Sequence, residues 1–342
     1  MTDTQWTQLL AVLRGEILDP LPTGFIIDCP WLPGWCNTPI ADYLTSDSIW
    51  LEQNLAAIRR FPDTWFLPGF WSEFGMCTEP SAFGAHCSFP RDAFPHAGII
   101  IRDIDDIARL KKPNPVTDGL LPFMLNRLRW AQPQIEAAGH KIRFSVSRGP
   151  LNIATFLMGT TEFLTAIITD PEACHQLMRT ITDFLKDWHA LQRETFSSID
   201  GIMMLDDIVG FLGEEHWLEF GFPYFKELYD NEMSVKFFHN DAACAESIRH
   251  YADLGINLYN PGIQTPLAEM RELCDHRLTI LGTIPPRDVL ALGSPEDVHR
   301  AVTDLLAATP DRSRLILSCA GGMSPGVTTE NLDAFLHAAA RG

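Results

Sequence analysis

Eight short apolar runs, each ending in polar or small residues, constrain this chain more than any other feature. They are Gly24–Cys29, Thr64–Phe70, Ile142–Ser147, Gly201–Asp206, Ser234–His239, Gly255–Asn260, Leu278–Thr283 and Arg314–Cys319. Each is apolar through its middle and bounded by turn residues, which is how a strand buried on both faces of a parallel sheet reads. Helical patterns separate most of them. Pro171–Ser198 carries apolar positions at helical spacing with a proline suited to the first turn, and Ala242–Leu254, Thr265–Cys274, Ser294–Ala308 and Thr328–Ala340 read the same way. Thr265-Pro266 and Ser294-Pro295 each place a capping side chain before a proline at the first helical position. Strand–helix alternation repeated about eight times predicts an α/β protein, a closed TIM (β/α)8 barrel. An open doubly wound sheet is the alternative, but no Gly-x-Gly-x-x-Gly follows the first run to support dinucleotide binding.

The 342 residues read as a single barrel domain over positions 1–342. The stretch 71–134, after the second strand, is longer than a standard connection and holds Pro80, Pro90, Pro95, Pro113 and Pro115. It is expected to fold over the barrel mouth as a lid or insertion. With 46% hydrophobic and 20% charged residues the chain has the material for a large core. Its 44 acidic against 26 basic residues, a net charge of -18, leave no basic face for a phosphate backbone or an anionic membrane, so no nucleic acid and no membrane partner is expected. No apolar run approaches the ~20 residues that span a bilayer. Met1–Gly15 lacks the basic start and apolar core of a secretory signal. Eight scattered cysteines without a Cys-x-x-Cys pair suit a reducing compartment, and the expected location is cytoplasmic.

The active site of such a barrel lies at the carboxyl ends of its strands, and those ends are rich in reactive residues. The first run ends in Asp28-Cys29, the second leads to Glu73 and Glu79, and the third ends at Ser147-Arg148-Gly149-Pro150. The fourth ends in Asp206-Asp207, the fifth in His239-Asn240-Asp241, the sixth in Tyr259-Asn260, and the eighth in Cys319-Ala320-Gly321-Gly322. Charge at a buried strand end costs several kcal/mol unless paired, so Asp206 and Asp207 are candidate site residues; helix capping or pairing with Arg148 is the structural alternative. The Arg148 guanidinium suits either a substrate carboxylate or a structural salt bridge. Imidazole and thiolate are good zinc ligands, which makes His239 and Cys319 candidates, with Asp241 and Cys244 nearby in sequence; a buried, non-ligating His and Cys is the other reading. Trp31, Trp35, Phe70, Trp71 and Phe74 flank strand ends and are expected to wall an apolar pocket, with Asn260 as a further substrate contact.

Taken in order, several segments resemble the uroporphyrinogen decarboxylase-like superfamily and, within it, the cobalamin-dependent methyltransferase branch. They are EPSAFGAHCSFPRDAFP from Glu79, DIDDIARLKKPNPVTDG from Asp103, RGPLNIATFLMG from Arg148, the Asp206-Asp207 stretch through Phe222-Pro223-Tyr224, FFHNDA around His239, and SCAGGMSPGVTTENLDAF from Ser318. Decarboxylases of this superfamily carry an arginine-rich N-terminal motif that grips substrate carboxylates; the matching region here, Asp28 to Trp35, has no arginine. The resemblance implies zinc held by His239 and Cys319, with Asp241 standing where the methyltransferases have a cysteine and Cys244 or Glu79 as substitutes. Glu79, Arg148, Asp206 and Asp207 are the expected catalytic residues. It also implies a cobalamin (corrinoid) cofactor carried by a separate corrinoid protein. The expected activity is that of a methyltransferase moving a methyl group between a small methyl ether, amine or thioether and corrinoid cobalt, zinc acting as Lewis acid. A metal-free decarboxylase or lyase using Arg148 and Asp206 is the alternative on the same fold.

Overall fold

The computed structural model describes residues 1–27 and 30–341. The end of the first apolar run, Asp28-Cys29, lies outside the described residues. All eight runs contain strands: β1 (Gly24–Phe25), β2 (Trp65–Phe66), β3 (Phe144–Arg148), β4 (Gly201–Leu205), β5 (Val235–Asn240), β6 (Leu258–Pro261), β7 (Thr279–Ile284) and β8 (Leu315–Cys319). β3 to β8 form one parallel sheet in sequential order, and β1 pairs in parallel with β2. Thr23 bridges Leu317 of β8 in parallel, so the pair continues the sheet and the order runs β2-β1-β8-β7-β6-β5-β4-β3. Strands that neighbour in sequence thus neighbour in space around a TIM barrel.

Side-chain parity fits a closed barrel. Trp65 and Leu67, Phe144 and Val146, Met203 and Leu205, Val235 and Phe237, with Leu258, Leu281 and Ile316, make one interior cluster. The residues between them, among them Ile202, Met204, Phe238, Tyr259, Ile280, Leu315 and Leu317, belong to the layer between strands and helices. A period of two along every strand is what a packed barrel interior requires. Helix Asp3–Leu13, opened by a capping box between Thr2 and Gln5, adds Trp6, Leu9, Val12 and Leu13 to the interior cluster. Trp6 meets the Phe144 ring edge-on at 5.4 Å, at the start of β3, so this helix plugs the amino end and leaves the carboxyl end for chemistry.

Helices Pro171–Thr195, Leu267–Leu273, Pro295–Ala308 and Thr329–Ala339 form where their patterns predict them. The stretch Ala242–Leu254 differs: only Ile248–Leu254 is helical, as a 3-10 helix. Asn240 accepts from the Ala242 amide at 2.8 Å, and this local turn competes with an earlier helix start. The 71–134 stretch holds helix Thr78–Ala82, the antiparallel pair Cys87–Ser88 and His96–Ala97, a 3-10 turn at Ile104–Arg109, and most of helix Leu121–Ala137. It is tied to the body where the Ile100 and Ile101 amides donate to Leu157 O, both at 2.9 Å.

Candidate active site

Two groups of polar residues occupy the strand ends. The first surrounds Arg148, the last residue of β3. Its Nη2 donates to Glu73 Oε2 at 2.7 Å, its backbone N–H donates to Glu79 Oε1 at 3.2 Å, and its guanidinium lies over the Trp71 ring. Both carboxylates are buried, and each leaves one oxygen, Glu73 Oε1 and Glu79 Oε2, without a partner among the described residues. Burial pushes the Glu79 carboxyl up to about 7 in spite of the Arg148 charge. Glu79 can therefore hold or release a proton near neutrality. Glu73 was not anticipated as Arg148's partner; the signal for it was the need of a guanidinium at a buried strand end for a carboxylate.

Asp206, fully buried after β4, turns its carboxylate to the backbone. Oδ2 accepts from the amides of Leu151 (2.9 Å) and Asn152 (3.1 Å) at the start of helix Pro150–Met158, and Oδ1 from Ile208 (3.2 Å). Burial pushes this carboxyl well above its ordinary range while those amides pull it down. Asp206 thus ties β4 to the helix that follows β3, and Gly149 lets it approach: a Cβ there would lie 2.3 Å from Oδ2.

The second group forms where the loops after β4 and β5 meet. Ligating atoms of Asp207, His239 and Asp241 all lie within 4.8 Å of one another. His239 follows Val235 and Phe237 on the barrel-facing parity of β5. Its Nδ1 pairs with Asn260 Oδ1 at 2.7 Å, and Asn260 Nδ2 is committed to Leu281 O at 2.7 Å, so the amide is fixed with its oxygen toward the ring. Nδ1 then carries a proton, and Nε2, 3.7 Å from Asp241 Oδ2, is the ring nitrogen that can ligate an ion. Asp241 is held by its own N–H donating to Asp207 Oδ1 at 2.7 Å. Gly321, at φ 62°, makes room for it: a Cβ there would lie 2.0 Å from Asp241 Oδ1.

Neither sequence-predicted thiol is among the ligating atoms that lie within 4.8 Å of one another in this group. Cys319 follows Leu315 and Leu317 on the helix-facing parity of β8, is fully buried, and directs Sγ to Gly321 O at 3.7 Å. Burial pushes its thiol up to about 12. Cys244 is buried with Sγ 3.7 Å from Thr265 Oγ1. The aromatic residues form separate clusters. Trp31 stacks on Trp35 at 5.4 Å, and both indole N–H groups bind the segment after β8, at Val327 O and Thr329 Oγ1. Phe70 packs edge-on against Trp50 and His140. Trp71 remains at the site, under Arg148.

Comparison with known proteins agrees with this architecture. A solved methyltransferase from Methanosarcina mazei superposes with a TM-score of 0.82 at 17% identity, covering 98% of each chain. The B12-independent methionine synthase from Shewanella sp. W3-18-1 gives a TM-score of 0.56 at 12% identity. Among curated relatives, the uroporphyrinogen decarboxylase of Cellvibrio japonicus is 23% identical over 308 residues, 86% of this chain and 83% of its own. The methylated-thiol–coenzyme M methyltransferase of Methanosarcina mazei is 23% identical over 189 residues, 55% of this chain and 50% of its own. The uroporphyrinogen decarboxylase (URO-D) family model matches residues 7–342, and on that match, carried by a TIM barrel with its polar residues at the strand ends, the chain belongs to the URO-D family.

Proposed function

We propose that this URO-D family member is a methyltransferase that passes a methyl group between a small molecule and the cobalt of a corrinoid carried by a separate protein. The observation that carries the reading is His239 Nε2, oriented by Asn260 and facing two carboxylates at the carboxyl rim of the barrel. A divalent cation suits these donors. Two ligands each about 2.0 Å from a tetrahedral ion stand about 3.3 Å apart, close to the 3.7 Å between His239 Nε2 and Asp241 Oδ2. His239 and Asp241 would hold zinc, the metal the sequence resemblance implies. Bound there, zinc would supply Lewis acidity to the heteroatom that loses or gains the methyl group.

The character of the rim argues against a substrate bearing many carboxylates. Arg148 is already neutralised by Glu73, with Glu79 on its backbone N–H, and the other group at the strand ends brings two more carboxylates, Asp207 and Asp241. In the demethylating direction the bond from methyl carbon to oxygen, nitrogen or sulfur breaks with its electron pair left on the heteroatom. A corrinoid presented at this rim would supply the electron pair that takes up the methyl group, and the heteroatom would take a proton. Glu79, whose carboxyl burial pushes up to about 7, would provide that proton. Oxygen donors at the metal favour an ether or amine over a thiol. Phe211 and Ile263, on the loops after β4 and β6, are 62% and 56% exposed and offer apolar contact to a corrin or its carrier. The 71–134 stretch serves as the lid.

The test mixes the purified protein with cob(I)alamin under reducing, anaerobic conditions and adds an aryl methyl ether, a methylamine or a methyl thioether. Conversion to the methylcobalamin spectrum with one donor, lost in His239→Ala, is the expected result. Release of carbon dioxide from a porphyrinogen, with no conversion by any donor, would overturn the proposal.

A further inference from the structure

The rim gathers three donors, and the third is not the sulfur that the sequence resemblance implies. We propose that the metal ion is held by Asp207, His239 and Asp241, a set of oxygen and nitrogen donors from the loops after β4 and β5, with the Cys319 thiol outside its coordination sphere. The inference rests on the methyltransferase reading for its cofactor but not for its geometry.

Three observations converge on it. The ligating atoms of these three side chains are within 4.8 Å of one another. His239 is 6% exposed, and among the described residues no hydrogen-bond donor faces its Nε2; its approach to Asp241 at 3.7 Å is too long for a hydrogen bond and of the right order for two ligands of one ion. The backbone is shaped around the carboxylates as well. Gly321 and Gly262 each pass so close to Asp241 that a Cβ would lie 2.0 Å from its Oδ1 or its backbone oxygen, and the Asp241 amide fixes Asp207 through Oδ1. Two carboxylates and a neutral imidazole bring two negative charges to a divalent cation.

Cys319 is excluded by strand parity. β8 directs Ile316 into the barrel and Leu315 and Leu317 toward the helices, and Cys319 continues the second series. To ligate the ion its side chain would have to cross from the helix-facing side to the mouth. The exclusion changes the metal's chemistry. Without thiolate the site loses its strong preference for soft ions, and manganese(II) and cobalt(II) compete with zinc more effectively than at a sulfur site.

The experiment loads the full chain with cobalt(II) and records its near-ultraviolet and visible spectrum. The expected result is d–d bands with no thiolate-to-cobalt charge-transfer band, unchanged in Cys319→Ser. Asp241→Cys, which introduces a thiolate into the set, should gain that band and so shows that it is detectable. Asp207→Asn keeps an oxygen acceptor for the Asp241 amide but removes the charge; cobalt affinity, read by chelator competition, should fall at least 10-fold with the fold intact by circular dichroism. A charge-transfer band in the unaltered protein that disappears in Cys319→Ser overturns the inference. So does unchanged affinity in Asp207→Asn, or failure of the unaltered chain to bind cobalt, zinc or manganese. Metal bound by this set without methyl transfer to cob(I)alamin leaves the ligand assignment standing and removes the proposed function.

Discussion

Replacing Gly321 by alanine separates a metal ligand from a surface carboxylate. Gly321 sits at φ 62°, in the left-handed region, where a Cβ costs roughly 1–2 kcal/mol. The same Cβ would stand 2.0 Å from Asp241 Oδ1 and 2.7 Å from its Cγ, so the carboxylate must swing away by about 1 Å or more to restore ordinary contact. Asp241's side chain is 53% exposed, so the swing itself costs little. The metal-free variant should therefore lose only the backbone penalty, a few degrees in Tm. Metal affinity should fall by roughly 10–100-fold or more, because one of three donors leaves its place. Calorimetric titration with zinc, beside thermal unfolding in chelator, measures both quantities. Asp241→Ala supplies the control: adding Gly321→Ala to it should not weaken binding further, since the two changes act on the same ligand. Undiminished zinc affinity in Gly321→Ala, with the expected drop in Tm, would refute the assignment of Asp241 as a ligand.

Three further outcomes follow from the same geometry. Asn260→Ala frees the His239 ring from the acceptor that fixes its tautomer, and zinc affinity should fall about 10–100-fold with all three donors still present, read by chelator competition. Asp206→Ala leaves the amides of Leu151, Asn152 and Ile208 without their acceptor; at about 1–3 kcal/mol for each buried unsatisfied donor, urea unfolding should show a loss of at least roughly 3 kcal/mol. Glu79 ionises near 4.5 when unfolded and near 7 when folded, so between those pH values the folded state binds more protons and stability falls as pH rises. Over that window the loss is on the order of 3 kcal/mol; Glu79→Gln should remove that component of the slope between urea midpoints at pH 5 and pH 8.

The barrel was legible because its signal is repeated. Each of the eight runs is short and apolar and sits between turn residues, and each contains a strand. What the runs could not show was their length as hydrogen-bonded strands. Gly24–Cys29 and Thr64–Phe70 pair over two residues each, because sheet pairing depends on what lies alongside rather than on the run itself. Helix Pro295–Ala308 was legible from its cap, Ser294, which accepts from the Asp297 amide. The helix expected from Ala242 was not, because Asn240 offers its side chain to the same backbone.

At the site, residue identities were legible and directions were not. A strand buried on both faces is apolar at odd and even positions alike, so its sequence does not say which parity faces the barrel axis. Cys319 and His239 both end such strands and look equivalent until parity is known; the structure puts His239 in line with Phe237 and Cys319 in line with Leu317. The adjacent pair Asp206-Asp207 carries the same ambiguity. One carboxylate turns to the amides of Leu151 and Asn152, and its neighbour joins His239 and Asp241. On the proposed ligand set, oxygen at Asp241 would coincide with a second oxygen donor, Asp207, from the loop after β4, and the two would act together. A site that had lost one thiolate while keeping the other would stay soft, whereas one in which Asp207 replaces Cys319 binds its ion as a hard Lewis acid. A hard Lewis acid suits a methyl group carried on oxygen or nitrogen, so Asp241→Cys alone should move metal preference toward zinc over manganese without creating activity toward thiols. A gain of thiol methylation by that single change would show that sulfur at one position, rather than the whole donor set, governs the choice of substrate.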